Sequence, residues 1–394
     1  MGVVRRNKSV NPDQSMNDHK QTPMPYEQTE AQAEVIKLGI DVHKKQYVVS
    51  AQHGSALPKP PQRFTPEKFL CWVAKLVRGG GEVISCYEAG CFGYVLHRRL
   101  EAAGARNLVV RPRDWDEYGS KVKTDARDSR ALCSHLDRYL AGNREALTPV
   151  RVPSEAEERE RSLSRQRDVF AKELKRLAGV GVGNARYYGI ELSQTWWKRR
   201  NFHRLEEELP EHLLDLLRPL QAVLISLWEQ NEAITRREES KIGEKIPKGL
   251  GALTAACLDA EFCDYGRFNN KRQVGSFTGL CPGEASSGGT RRQGPINTHG
   301  TPRIRWLLLE IDWRLFRHQP DYAPILYWKE RMTKEPFGRA KKKKMAVAIA
   351  RRFAVDWWRI RTGRMKPEDV GLAVDYPCAY KRAHPECETA GQVA

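Results

Sequence analysis

The sequence has no C-x-x-C pair, and its nine cysteines are odd in number and scattered. Both facts argue against a zinc ribbon or a disulfide framework and fit a reducing, cytoplasmic setting. No apolar run approaches the ~18 residues of a membrane span, and no apolar signal core stands near the N-terminus, so no membrane partner is expected. Internal repeats are lacking too. Acid is scarce relative to base: 49 Asp and Glu stand against 67 Lys and Arg, a formal net charge of +18. Such a surplus suits a polyanion, because each phosphate neutralised by a cation releases condensed counterions. Charge alone would also describe a basic protein with no nucleic-acid role.

What is present is enough apolar residue, 40% of 394, to build more than one core. Residues 1–34 are polar and aperiodic and read as a disordered leader. From residue 35 to about 150 the pattern is α/β. Ile36 to Val42 alternates like a strand, Gln46 to Ala51 like its hairpin partner, and Arg63-Phe64 like a weak third strand crowded by prolines. A helix is predicted from Thr65-Pro66, with Pro in the first turn. Then come a strand at 83–88, a helix at 92–103, a strand at 108–110 and a helix at 124–140. That order implies a mixed sheet. Over 151–243, Ser154 and Glu157 form a capping box, and two long amphipathic helices, about 154–177 and 219–239, predict an antiparallel arm or coiled coil. Residues 244–366 read as a mainly helical unit containing a Gly-rich loop, and 367–394 as a loose tail.

Four carboxylates occupy telling places. Asp41 lies on the first strand, Glu88 ends the strand at 83–88, and Asp125 and Asp128 stand one turn apart on a helix. An acid in a buried strand is costly unless it is paired or metal-bound. Converging oxygen ligands of this number suit Mg²⁺ or Mn²⁺. Taken singly, each acid could be a surface charge, and Asp125 and Asp128 could simply favour a helix N-terminus. The order of strand acid, strand-end acid and paired helix acids within one domain favours metal chemistry.

Gly39-Ile40-Asp41-Val42-His43-Lys44, Tyr87-Glu88-Ala89-Gly90 and Lys123-Thr124-Asp125-Ala126-Arg127-Asp128 resemble the D-E-D-D motifs of the insertion-sequence-110 family of transposases. A second block also matches, from Gly279-Leu280-Cys281-Pro282 through Ser286-Ser287-Gly288 to Gly300-Thr301-Pro302-Arg303. The resemblance covers roughly residues 36–360. It implies an RNase H-like first domain and a bacterial DNA recombinase, cytoplasmic and nucleoid-associated, related to pilin-gene invertases. It implies Ser287 as nucleophile, with Ser286 as the alternate, and Asp41, Glu88, Asp125 and Asp128 as metal ligands. It further implies donor and target DNA as partners, a non-coding guide (bridge) RNA, and a homo-oligomer, dimer or tetramer, in which the serine of one subunit meets the metal site of another. Read without the resemblance, a Ser-Gly pair is most often a plain turn.

Several basic groups are candidate nucleic-acid contacts: Lys123, Arg127, Arg291, Arg292, Arg303, Arg305 and the run Lys341, Lys342, Lys343 and Lys344. Trp196 and Trp197 beside Lys198, Arg199 and Arg200 could stack on unpaired bases, or the two indoles could be core. Two other functions stay open at this point. One is a junction-resolving nuclease that uses metal and water. The other is a non-enzymatic nucleic-acid-binding protein whose acids are ion pairs.

Overall fold

Alternation in the first strand decides the layout of the first unit. In β1 (Val35–Val42) the odd and even positions face opposite sides of the sheet. Antiparallel β2 (Tyr47–His53) pairs with it, Ile40 opposite Val49, and short β3 (Gln62–Phe64) extends the edge. Helix α1 (Pro66–Arg78) is capped by Thr65, whose hydroxyl accepts from Lys68 N. Then β4 (Glu82–Glu88) runs parallel beside β1, α2 (Val95–Ala102) crosses over, β5 (Arg106–Val110) lies parallel to β4, and α3 (Asp125–Leu140) closes the unit. The result is the expected mixed sheet, in the order β3-β2-β1-β4-β5.

The computed structural model describes residues 34–113, 124–284, 290 and 292–384. They divide into two compact units between Val152 and Pro153.

One face of the sheet buries Ile36, Leu38, Ile40 and Val49 against Phe69 and Val73 of α1 and Leu96 and Leu100 of α2. The other face buries Ile84, Cys86 and Val110 against Leu132 and Leu136 of α3. Gly39 belongs to this second face, and α3 lies directly on it. A Cβ added at Gly39 would sit 2.3 Å from both Cys133 N and Ser129 O. Polar groups complete the contact. The Ser50 and Ser129 hydroxyls meet at 3.2 Å, and the Cys133 thiol donates to Lys37 O at 3.4 Å.

In the second unit, α4 (Glu155–Tyr187) begins with the predicted capping box: Ser154 Oγ accepts from Glu157 N, and Glu157 accepts from Ser154 N. After α5 (Arg199–Glu208) comes α6 (Glu211–Ser240), antiparallel to α4. Glu160 pairs with Arg237, and Arg167 donates to Thr235, at one end of the pair. Pro219 does not start this helix, as the sequence suggested, but lies inside it. An internal Pro costs about 3 kcal/mol. Burial of Leu213, Leu214 and Leu217 in the turns before it offsets that cost.

The remaining elements are β6 (Ile246–Pro247), α7 (Ala252–Phe262), α8 (Lys271–Thr278), the antiparallel pair β7 (Pro282–Glu284) and β8 (Gln293–Ile296), α9 (Pro302–His318), α10 (Ala323–Lys334), α11 (Arg339–Arg361), β9 (Val374–Asp375) and α12 (Cys378–Ala383). Helices α7, α9 and α11 share one core through Leu258, Phe262, Leu308, Ile311, Ile349 and Phe353. The stretch expected as an arm, 151–243, and the one expected after it fall in one compact unit from Pro153 onward. Residues expected in the loose tail take part in this unit as far as residue 384. Strand β9 pairs with β6, and buried Gln319 bonds to Lys248 O and to both Ala373 N and Ala373 O. Those bonds satisfy backbone groups that a free tail would leave to water.

Asp312 of α9 is 0% exposed, and neither carboxylate oxygen has a hydrogen-bond partner among the described residues. Burial pushes its carboxyl up to about 7. The folded chain therefore keeps a proton that the unfolded chain releases, and stability falls as pH rises from the usual carboxylate range through about 7.

Two predictions follow from this packing. Gly39→Ala drives a methyl into backbone atoms that cannot swing aside, so chemical denaturation should show a loss of at least about 1–3 kcal/mol. Asp312→Asn removes a titration. The stability difference between the variant and the parent should move in the variant's favour between pH 5 and pH 8, by on the order of 2–3 kcal/mol. A difference that stays constant with pH would contradict the assignment.

Candidate active site

Parity along the strands aims the acids. Asp41 is two residues beyond Gly39 and shares its face, and Glu88 is two residues beyond Cys86 on the same face of β4. Ile40 is paired with Tyr87, and Asp41 and Glu88 follow these partners at the same end of two adjacent parallel strands. On α3, Asp125, Ser129 and Cys133 recur every four residues and share a ridge. The ridge that packs on Gly39 thus directs Asp125 toward the end of β1, with Asp128 in the same first turn.

The outcome is a cleft of about 460 Å³ lined by Asp41, His43, Glu88, Asp125 and Asp128, with Tyr87, Phe92 and Leu132 among its apolar walls. All four carboxylates singled out in the sequence border this one cleft. His43 bridges two of them: its Nε2 lies 3.1 Å from Asp41 Oδ2 and 3.4 Å from Asp125 Oδ2. Glu88 Oε1 accepts from Arg113 N at 3.3 Å. Burial raises the Asp41 carboxyl above its ordinary value, and the Asp125 and Asp128 charges add to the rise, while His43 opposes it. Donor atoms of Asp41, His43 and Asp125 all fall within 4.8 Å of one another. The donor set fits a divalent ion, since hard oxygens dominate and a +2 charge would relieve the crowding of like charges.

Sequence reading passed over His43 as a site residue. The signal was its place two residues after Asp41, which keeps it on the same side of an extended chain.

The other candidate residues divide sharply. Trp196 and Trp197 are 1% and 6% exposed, so the proposed stacking on bases is corrected: both indoles are core. Trp196 fills the space over Gly181, where a Cβ would meet its ring at 2.2 Å, and its N–H donates to Ala178 O. Arg303 is corrected too. Its guanidinium is held by Asp168 at 2.7 Å, Glu261 at 3.1 Å and Ser164 O at 2.8 Å, which leaves it little reach toward a phosphate. Arg305 donates to Thr298 O and Gly300 O and clamps the turn into α9. Gly300 itself packs against Phe277 O and Gly279 N, so the two glycines that bracket the second block mark a backbone crossing.

Lys198, Arg200, Arg292 and Lys341 to Lys344 are exposed, as are Arg127 and Arg199, the latter paired with Glu229. Lys341 pairs with Glu335. Lys123, Ser286, Ser287 and Arg291 lie outside the described residues, the serines between β7 and β8 in sequence. A basic groove that the sequence reading missed lies between α8 and α11, lined by Lys271, Arg272, Arg351, Arg352 and Arg359. Its cations come from two helices far apart in sequence, so no local run announces it. Among the described residues, no helix is long and apolar enough to cross a membrane.

Comparison with known proteins adds a second line of support. Residues 245–326 match the model of the transposase IS116/IS110/IS902 family. A Sinorhizobium fredii protein named as a transposase, y4rJ, is 31% identical over 300 residues, which cover 69% of this chain and 75% of that one. The transposase for insertion sequence element IS1328 of Yersinia enterocolitica is 24% identical over 300 residues, 73% of this chain and 86% of its own length. The transposase for insertion sequence element IS1111A of Coxiella burnetii is 24% identical over 345 residues, 82% and 89% of the two chains. With the similarity running through both units, the chain belongs to the IS116/IS110/IS902 family of transposases, enzymes that cut and rejoin DNA.

Proposed function

We propose that this transposase cuts DNA with a serine nucleophile, Ser287 or its neighbour Ser286, working at the carboxylate cleft of the first unit. The observation that carries the reading is the convergence of Asp41, Glu88, Asp125 and Asp128 on one cleft. The strand order β3-β2-β1-β4-β5, antiparallel then parallel, supports an RNase H-like first unit.

In this reading the four carboxylates, with His43 as a nitrogen donor, would hold Mg²⁺ or Mn²⁺, which would supply Lewis-acid stabilisation of the charge developing on the phosphate oxygens. The protein's own part is positional. The serine Oγ forms a bond to phosphorus, the bond from phosphorus to the leaving deoxyribose oxygen breaks, and that oxygen takes up a proton as the serine loses one. The phosphoserine link keeps the bond energy, so rejoining needs no nucleotide cofactor.

Partner readings follow from the family resemblance and the charge. They are donor and target DNA, a non-coding guide RNA, and an oligomer in which one subunit's serine serves another's cleft. The net charge of +18 and the exposed lysines of α11 favour contact with phosphates.

Two outcomes are expected in a cleavage assay with a DNA bearing a target junction. Asp41→Asn should lower cleavage by more than about 10²-fold while leaving the thermal transition within a few degrees of the parent. Ser287→Ala should abolish the covalent DNA–protein adduct yet still bind Mn²⁺. An adduct that persists in Ser287→Ala and disappears in Ser286→Ala would move the nucleophile by one residue. Cleavage without any adduct would favour a water-using nuclease instead.

A further inference from the structure

In the second unit, α9 exposes two large indoles where a core helix would bury them: Trp306 is 53% and Trp313 62% exposed. They stand seven residues apart and so lie on one helix face. Beside Trp313 opens a pocket of about 630 Å³ lined by Leu309, Trp313, Arg339, Lys342, Lys343, Ala346 and Val347. Its make-up is unusual. Its lining combines one indole with aliphatic side chains, and every charged residue in it is a cation. Among the described residues, Arg339, Lys342 and Lys343 pair with no acid, whereas their neighbour Lys341 turns to Glu335.

We propose that this pocket seats an unpaired nucleic-acid base against Trp313, with the adjoining phosphates held by Arg339, Lys342 and Lys343. The inference rests on the transposase handling nucleic acid and goes beyond it by placing a single-strand seat remote in sequence from the carboxylate motifs. A purely apolar partner would bury the three cations without counter-charge, which is costly, and a second copy of the chain would bring its own net charge of +18 toward them. An anion with an aromatic face satisfies both halves of the lining at once. A nucleotide supplies that combination: the base stacks on the indole, and the phosphate accepts charge-assisted hydrogen bonds. A duplex does not, because its base faces are already stacked on one another. Leu309 and Val347 add apolar lining to the indole of Trp313. That arrangement favours a base splayed out of its strand over a contact with backbone alone.

The test uses the full chain and fluorescence anisotropy with three labelled probes of equal length: single-stranded RNA, single-stranded DNA and duplex DNA. Trp313→Ala should weaken single-strand binding by about 5- to 100-fold and leave duplex binding within about twofold, while Trp313→Phe, which keeps a π-face, should retain most of the affinity. A loss confined to the RNA probe would assign the seat to a guide. A loss confined to the DNA probe would assign it to a displaced strand. Equal single-strand affinity for Trp313→Ala and parent would overturn the proposal, as would a change in sedimentation mass with no change in affinity, which would assign the surface to a second copy. A parent protein that binds none of the three probes would instead sink the nucleic-acid reading itself. Unfolding curves for each variant separate loss of the seat from loss of the fold.

Discussion

The closeness of α3 to β1 is the constraint on which the cleft depends. A helix normally stands off a sheet by the bulk of its side chains. Here Gly39 presents no side chain, and the α3 backbone at Ser129 and Cys133 comes down onto it. Small or hydrogen-bonding groups line the approach: Ser50, Ser129, Cys133 and the Lys37 carbonyl. Any larger residue at 39 would push the helix outward, and the first turn of α3 carries two of the four acids. Helix position, and with it the spacing of the carboxylates, is thus set by the absence of a single Cβ.

The site is also a place of stored repulsion. Asp41 keeps an elevated proton affinity because it is partly buried and faces Asp125 and Asp128. His43 partly relieves this by bridging Asp41 and Asp125. Two buried acids of the second unit are handled differently. In the second unit Glu261 is matched by Arg165 and Arg303, and buried Asp356 accepts from Tyr322 and Arg352. Those are closed arrangements in which donors meet acceptors. The cleft of the first unit instead brings four carboxylates together beside His43, a donor set that suits a divalent cation.

Much of this was legible in the sequence, and the failures have physical causes. The strands β1, β2 and β4, the α1 start at Pro66 and the Ser154 capping box follow local rules of alternation, proline placement and capping, and the structure has them where those rules put them. The four acids were visible because strand parity and helical spacing are both encoded in residue number. Local composition misled where tertiary contacts decide. Trp196 and Trp197 sit in a basic, aromatic stretch that reads as a nucleic-acid surface, yet α4 offers Gly181 as a socket for Trp196. Pro219 reads as a helix start, yet the buried leucines before it carry the helix through. Arg303 reads as a phosphate ligand, yet Asp168 and Glu261, distant in sequence, claim it. The exposed pair Trp306 and Trp313 went unread for the converse reason: their spacing on an apolar helix suggests core, and only packing shows which face is left outside.

The central claim is that the four acids act as one divalent-ion site. It is tested most directly by titrating Mn²⁺ into the full chain and following the loss of the free-ion electron paramagnetic resonance signal. The account predicts saturable binding that weakens as pH falls, because protons compete for Asp41. It also predicts that Glu88→Gln and Asp128→Asn, on separate elements, each weaken binding by about tenfold or more. Binding that both substitutions leave unchanged would contradict it.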